Sequence, residues 1–249
     1  MKAIGDTIDP VEVARFARQA ASWWDPAGSF RPLHRLNPAR LQFIRDALTG
    51  HFGRDSRSLH PFDGLALADI GCGGGLIAEP MTRLGFAVTA IDADEQAIAV
   101  AKSHGQTAGL KIDYRISTAE ALARRKHRFD VVLALEIVEH VAEPQAFLTA
   151  CATLLRPGGA FIGATLNRSP QSYALAIVGA EYLLRWLPRG THDWRRFLRP
   201  SEFVLGLRRA GLEPTRLKGL HYRLTGGEWA PTDDLSINYM VMAVKRRPA

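Results

Sequence analysis

Three titratable side chains stand close together in L-E-I-V-E-H-V: Glu136, Glu139 and His140. They lie at i, i+3 and i+4, so a helical turn would point all three to one side. Two carboxylates and an imidazole in a cleft could hold a divalent cation, and oxygen ligands favour magnesium or manganese. Such a cation would help a phenol lose its proton. His140 could equally remove that proton itself as a general base. A third reading, which the spacing alone slightly favours, has Glu139 capping a turn and His140 packing against a neighbouring ligand-binding loop.

A second constellation is Asp69-Ile70-Gly71-Cys72-Gly73-Gly74-Gly75, where a short apolar strand turns into a helix. Glycines there let the backbone adopt positive φ and pass close to a ligand. The dinucleotide fingerprint G-x-G-x-x-G is the competing reading, but from Gly71 its third glycine falls on Leu76. Asp92, in A-I-D-A-D, ends the next strand, where a carboxylate can accept hydrogen bonds from both hydroxyls of a ribose. Asp69 discriminates between ligands: an acid at that point repels a pyrophosphate but suits a cationic sulfonium and an amino group. Cys72 reads as a small packing residue rather than a nucleophile.

The elements that must position these groups follow from the hydrophobic pattern. Residues 9 to 52 read as helices separated by a loop, with Asp9-Pro10 as cap and first turn and Asn37-Pro38 opening the second helix. From Leu65 strands and helices alternate: a strand ending at the glycines, helix 75–84, strand 87–92, helix 94–108, strands 111–116 and 129–135, helix 143–155 and strand 160–166. Pro157-Gly158-Gly159 reads as the turn between 155 and 160. A helix from Pro200 to Ala210 and strands near 213–221 and 238–245 finish the chain. Such alternation implies right-handed crossovers and a parallel, doubly wound α/β sheet, with ligands at the carboxyl ends of the strands.

The glycine loop with its two acids resembles the class I methyltransferases, which use S-adenosylmethionine. A closer resemblance rests on several blocks in order: S-W-W-D-P-A-G-S-F-R-P-L-H-R-L-N-P-A-R-L (22–41), D-I-G-C-G-G-G, L-E-I-V-E-H-V, T-L-N-R (165–168), V-G-A-E-Y-L-L-R-W-L-P-R-G-T-H-D-W (178–194) and N-Y-M (238–240). Together they resemble the ubiquinone biosynthesis O-methyltransferases from about Phe16 to Met240. The resemblance implies a Rossmann-like, mostly parallel seven-stranded sheet with an antiparallel last strand, N-terminal helices and an inserted lid or membrane helix. It implies one domain over 1–249: a helical cap (1–60), a donor-binding core (65–166), the insertion (167–199) and the end of the sheet (200–249).

The same resemblance implies methylation of phenolic hydroxyls on polyprenylated catechol-type intermediates, 2-polyprenyl-6-hydroxyphenol and 3-demethylubiquinol. It places the donor on Arg40, Gly71, Asp92 and Leu135, beside Asp69 and Gly73 from the loop reading. Leu135 departs from the methionine of some members, a change that a backbone contact tolerates. Eukaryotic relatives make Glu136, Glu139 and His140 the ligands of magnesium or another divalent cation. His192, in G-T-H-D, is a second candidate base. The alternatives are an enzyme for another small phenolic or quinone acceptor, and a non-catalytic scaffold on the same fold.

Composition bounds the rest. The chain has 249 residues, 47% of them hydrophobic, and a net charge of +7, which permits an anionic surface as partner. The basic residues are scattered and no nucleic-acid motif is visible, so no nucleic acid is expected. Two cysteines point away from a disulfide framework and toward a reducing compartment. Residues 172–187 are apolar around most of a helix, and Arg185, Arg189, Arg195 and Arg196 follow or flank them with Trp186 and Trp194. That combination suits an interfacial helix on anionic lipid. The expected location is therefore cytoplasmic, peripheral to the inner face of a membrane, near other enzymes of the ubiquinone pathway.

Overall fold

The computed structural model describes residues 7–174, 193–223 and 227–247. Among these described residues eight strands form one sheet: β1 (Ala66–Ile70), β2 (Ala87–Asp92), β3 (Asp113–Ile116), β4 (Phe129–Leu135), β5 (Leu155–Leu166), β6 (Leu212–Arg223), β7 (Glu228–Thr232) and β8 (Asn238–Lys245). Their order is β3-β2-β1-β4-β5-β8-β6-β7. Strands β1 to β5 pair in parallel, whereas β8 runs antiparallel to both β5 and β6.

This is the expected mostly parallel, doubly wound architecture, with one correction: eight strands rather than seven. The extra strand, β7, pairs among the described residues only with β6, as the second arm of a hairpin. Its sequence E-W-A-P-T lacks apolar alternation, and Pro231 is tolerated because the strand lies at the edge.

The helices are α1 (Pro10–Ala17), α2 (Arg31–Phe52), α3 (Ala78–Arg83), α4 (Glu95–Thr107), α5 (Ala119–Arg124), α6 (Pro144–Leu154), a short α7 (Pro170–Ser172) and α8 (Pro200–Arg209). Period-two burial divides the sheet's two faces. Val131 and Leu133 of β4 join Leu67, Ile162 and Met242 under α2 and α3, against Phe43, Ile44, Leu48 and Met81. Val132 and Ala134 join Ile70, Phe161 and Tyr239 on the other face, against Leu122 of α5, Phe147 and Leu148 of α6 and Leu207 of α8. Each large aliphatic side chain buried this way contributes about 1.5–3 kcal/mol.

Three local readings are corrected. Helix α2 starts at Arg31, not Asn37, because Pro32 fills its first turn; Pro38 lies inside it, where it cannot donate to the His34 carbonyl and its ring crowds that group. Helix α5, absent from the sequence reading, is capped by Thr118, whose side chain accepts from the Ala121 N–H. The expected Pro157–Gly159 turn lies within β5, where the register against β4 shifts between Phe129 and Val131.

The chain reverses its direction of sheet growth between β1 and β4, since β2 and β3 lie on one side and β5 on the other. The carboxyl ends of β1, β2, β4 and β5 thus meet at the switch point of a doubly wound sheet, the usual place for a ligand.

Candidate active site

At the end of β1 the chain turns sharply through Gly71 (φ 74°) and Gly73 (φ 51°). The backbone N–H groups of Gly71 and Cys72 both donate to the Ile91 carbonyl at the end of β2, at 2.8 and 3.0 Å. A methyl group on Gly71 would lie 2.5 Å from Cδ1 of Ile137, and one on Gly73 would lie 2.3 Å from Cζ2 of Trp23. Both positions therefore need glycine for conformation and for space. Cys72 is buried, and burial followed by the charges of Asp92 and Asp69 pushes its thiol well up. Such a thiol is a packing residue.

The two acids expected beside this loop are there. Asp92 accepts from the Gly73 N–H at 2.8 Å and from the Asp94 N–H at 2.9 Å. Burial outweighs those bonds and raises its carboxyl. Asp69 is 3% exposed, and its Oδ2 has no hydrogen-bond partner among the described residues. Burial, then the charge of Asp92, lifts the Asp69 carboxyl to about 7. Two buried acids next to a backbone cradle suit a ligand that brings a positive charge and hydrogen-bond donors.

Sequence reasoning gave no role to the tryptophans that cover this loop. The ring of Trp23 lies on Gly73 and Gly74 and stacks on Phe30 at 3.7 Å. The Trp24 indole donates to the Gly74 carbonyl at 2.8 Å and stacks on His104 at 3.5 Å. The signal was in W-W-D, two large aromatics side by side in a polar loop, but nothing local says which backbone they meet.

Arg40 arrives from α2. Its helix face carries Leu36, Phe43, Ile44 and Ala47 into the core, so the guanidinium is buried with them. It donates from Nη2 to Glu136 Oε1 at 2.7 Å, and its Nε lacks a partner among the described residues. Leu135 ends β4 opposite Ala164 of β5, one residue before this pair. Glu136 has φ 52°, a conformation that costs a non-glycine residue about 1–2 kcal/mol. Its N–H donates to the Ala164 carbonyl at 2.9 Å, and Arg40 grips its carboxylate.

Glu136 and Glu139 lie against each other, but His140 does not join them. The spacing argument assumed a helical turn, but the left-handed Glu136 leads into a tight turn closed by His140 N–H to the Ile137 carbonyl at 2.9 Å. Beyond the contact between the two carboxyls, each of the three has a partner of its own. Glu136 pairs with Arg40, Glu139 accepts from the Thr165 hydroxyl at 3.0 Å, and His140 Nδ1 meets Glu12 Oε2 at 2.7 Å. Glu139 is 3% exposed, and burial followed by the charge of Glu136 raises its carboxyl well above the usual range. Among the described residues no three-membered cluster of His, Cys, Asp and Glu is arranged to hold a metal.

Glu12, on α1, was not found from sequence because 128 residues separate it from His140. His192, Arg185, Arg189 and Trp186 lie outside the described residues. Of the inserted segment, Tyr173 is 46% exposed with its ring edge-on to Trp194 at 6.0 Å, and the Trp194 indole donates to the Ser169 carbonyl at 3.1 Å. Among the described residues no helix is long and apolar enough to cross a membrane.

Comparison with known proteins bears on this geometry. The family model described as a methyltransferase domain matches residues 68–163, from the glycine loop to β5. A ubiquinone biosynthesis O-methyltransferase of Parvibaculum lavamentivorans is 52% identical over 246 residues, covering 99% of this chain and 97% of its own length. One of the same name from Cereibacter sphaeroides is 54% identical over 241 residues, covering 96% and 98%. The crystal structure of magnesium protoporphyrin IX methyltransferase from Synechocystis PCC 6803 with bound SAM matches 98% of this chain and 99% of its own, with a TM-score of 0.61 at 15% identity. That last likeness is one of fold.

Proposed function

The chain belongs to the ubiquinone biosynthesis O-methyltransferases, and from that premise we propose which acceptor it methylates and how its residues divide the work. It is an S-adenosylmethionine-dependent O-methyltransferase of ubiquinone biosynthesis. The acceptors are phenolic hydroxyls of polyprenylated catechol-type intermediates, 2-polyprenyl-6-hydroxyphenol and 3-demethylubiquinol. When bound, S-adenosylmethionine supplies an electrophilic methyl group on a sulfonium.

The observation that carries the site reading is Asp69: a buried acid with an unpartnered oxygen, beside a second acid and a glycine cradle. A donor carrying a sulfonium and an ammonium group would neutralise it and donate to Oδ2. Gly71 and Gly73 provide the close backbone approach, and Asp92 receives the ribose hydroxyls. Arg40, with its unpartnered Nε–H, faces the donor's carboxylate end, and Leu135 lines the same cleft through its backbone. Glu136 holds Arg40 in place, Glu139 stands behind it as a neutral acid on Thr165, and His140 is the general base for the phenol. Holding oxygen, methyl and sulfur in line supplies much of the acceleration.

A polyprenyl tail keeps the acceptor in a bilayer, so the enzyme works at an anionic membrane surface through residues 172–196, cytoplasmic and peripheral. Support comes from the exposed Tyr173 and its contact with Trp194, beside Arg195 and Arg196. Amphipathic aromatics next to basic side chains suit that interface. The test of function is methyl transfer from labelled S-adenosylmethionine to a short-chain prenylated catechol. Labelled product is expected; donor binding without product would redirect the reading to another acceptor. Protein that stays at the bottom of a flotation gradient with anionic vesicles would remove the membrane role.

A further inference from the structure

The imidazole of His140 is held from a distant part of the chain. Its Nδ1 lies 2.7 Å from Glu12 Oε2, and both side chains are about 15% exposed. The ring of Phe16, one helical turn after Glu12, meets the imidazole edge-on at 5.2 Å and 85°. Glu12 is itself fixed: Arg15 Nη2 lies 2.5 Å from the same oxygen, and Arg196 reaches its other oxygen at 3.8 Å while pairing with Asp9 at 2.9 Å. Burial works against a charge on Glu12, but His140, Arg15 and Arg196 together outweigh it and keep the carboxyl below its ordinary range.

We propose that Glu12 is the positioning residue of the reaction, forming with His140 a carboxylate–imidazole dyad that orients the general base and stabilises its protonated form. This rests on the assignment of His140 as the base. A carboxylate can only accept from Nδ1, so Nδ1 carries the hydrogen and the basic lone pair belongs to Nε2. As the phenol reacts, its proton passes to Nε2 and its oxygen forms a bond to the methyl carbon. The carbon–sulfur bond breaks with its electron pair going to sulfur. The imidazolium so formed lies against the Glu12 charge, the role that a buried acid plays behind a catalytic histidine in hydrolases. Phe16 limits rotation of the ring about the dyad axis. Because α1 is also tied to Arg196, near the end of the inserted segment, the base is oriented only when the N-terminal helix is docked.

The experiment compares Glu12→Ala, Glu12→Gln, His140→Ala and the double variant, using a short-chain prenylated catechol. Donor affinity, measured by calorimetry, serves as the check on folding. His140→Ala is expected to lose about 10²–10⁴-fold in kcat, the usual contribution of a general base. Glu12→Ala is expected to lose about tenfold to a hundredfold in kcat, as misorientation of a reacting group does, with donor affinity and the donor KM within about twofold. Glu12→Gln keeps an acceptor for Nδ1–H and recovers part of the loss. The double variant is no slower than His140→Ala, because Glu12 acts only through His140. Wild-type turnover in Glu12→Ala with an inactive His140→Ala, or losses that multiply in the double variant, would overturn the dyad. Wild-type turnover in His140→Ala would instead remove the base assignment on which the dyad stands.

Discussion

Lowering the pH should weaken donor binding through Asp69. The free protein holds this carboxyl at about 7, because it is buried and faces the charge of Asp92. A donor bearing a sulfonium and an ammonium group favours the ionised form, so the bound protein holds a lower pKa than the free one. The sign follows from linkage: binding releases a proton wherever the free acid is protonated, and affinity falls as pH drops through the free value. At about pH 8 roughly nine-tenths of Asp69 is ionised, and at about pH 6 roughly one-tenth. The dissociation constant should therefore rise about tenfold between these conditions, or about 1.4 kcal/mol. Calorimetry in buffers of differing ionisation enthalpy reads both quantities, and near the acid end should find close to one proton released per donor bound. Asp69→Asn should bind more weakly than wild type at the alkaline end and lose the pH dependence. A flat affinity over this range in the wild-type protein, with no proton release, would show that Asp69 does not face the donor's charge.

Other predictions test the remaining contacts. Gly73→Ala places a methyl group 2.3 Å from the Trp23 ring at φ 51°, whereas Gly53 has a similar φ of 61° and open space around it. Both variants should lose about 1–2 kcal/mol for the left-handed backbone, but Gly73→Ala should lose about 1–3 kcal/mol more from overpacking, read as a lower Tm; equal losses would mean that Trp23 does not lie on the loop. Because Arg40, Thr165 and Glu12 each engage one of Glu136, Glu139 and His140, turnover should survive EDTA, and product that disappears and returns with magnesium would restore the metal reading. Glu139→Gln, a neutral replacement for an acid already favouring its proton, should keep most of the turnover and its bond to Thr165; loss of activity with unchanged donor affinity would show that the ionised acid is needed.

The parts of this site that were legible in the sequence share one property: their geometry is set by covalent neighbours. Asp69, the glycines and Asp92 lie at strand ends, where a β-to-α turn leaves little choice, and the register of β1 on β2, Asp69 opposite Ala90, puts the two acids on the same side of the sheet. Arg40 was singled out through resemblance, although a physical clue to its buried ion pair was present: an arginine on the buried stripe of α2, between Leu36 and Phe43, must find an anion inside. Helix α5 carried its capping threonine but is only six residues long, too short for apolar periodicity to show. The edge strand β7 had no pattern of its own, because only its ladder with β6 makes it a strand.

The E-x-x-E-H group shows why a correct motif still gave the wrong geometry. Its spacing argument needs right-handed helical backbone through residue 136, and that residue is instead left-handed. The cost of that conformation is offset where β4 ends: the Glu136 N–H reaches Ala164, and its carboxylate reaches Arg40, 96 residues earlier in the chain. One inverted φ at the head of the motif re-aims the following side chains, so Glu139 turns inward to Thr165 and His140 outward to Glu12. Periodicity rules describe neighbours along the chain, whereas here Arg40 and Glu12 set the outcome from α2 and α1. The division of these acids and the imidazole among Arg40, Thr165 and Glu12 is a tertiary property, which brings the N-terminal helices to the same end of the sheet as the glycine loop.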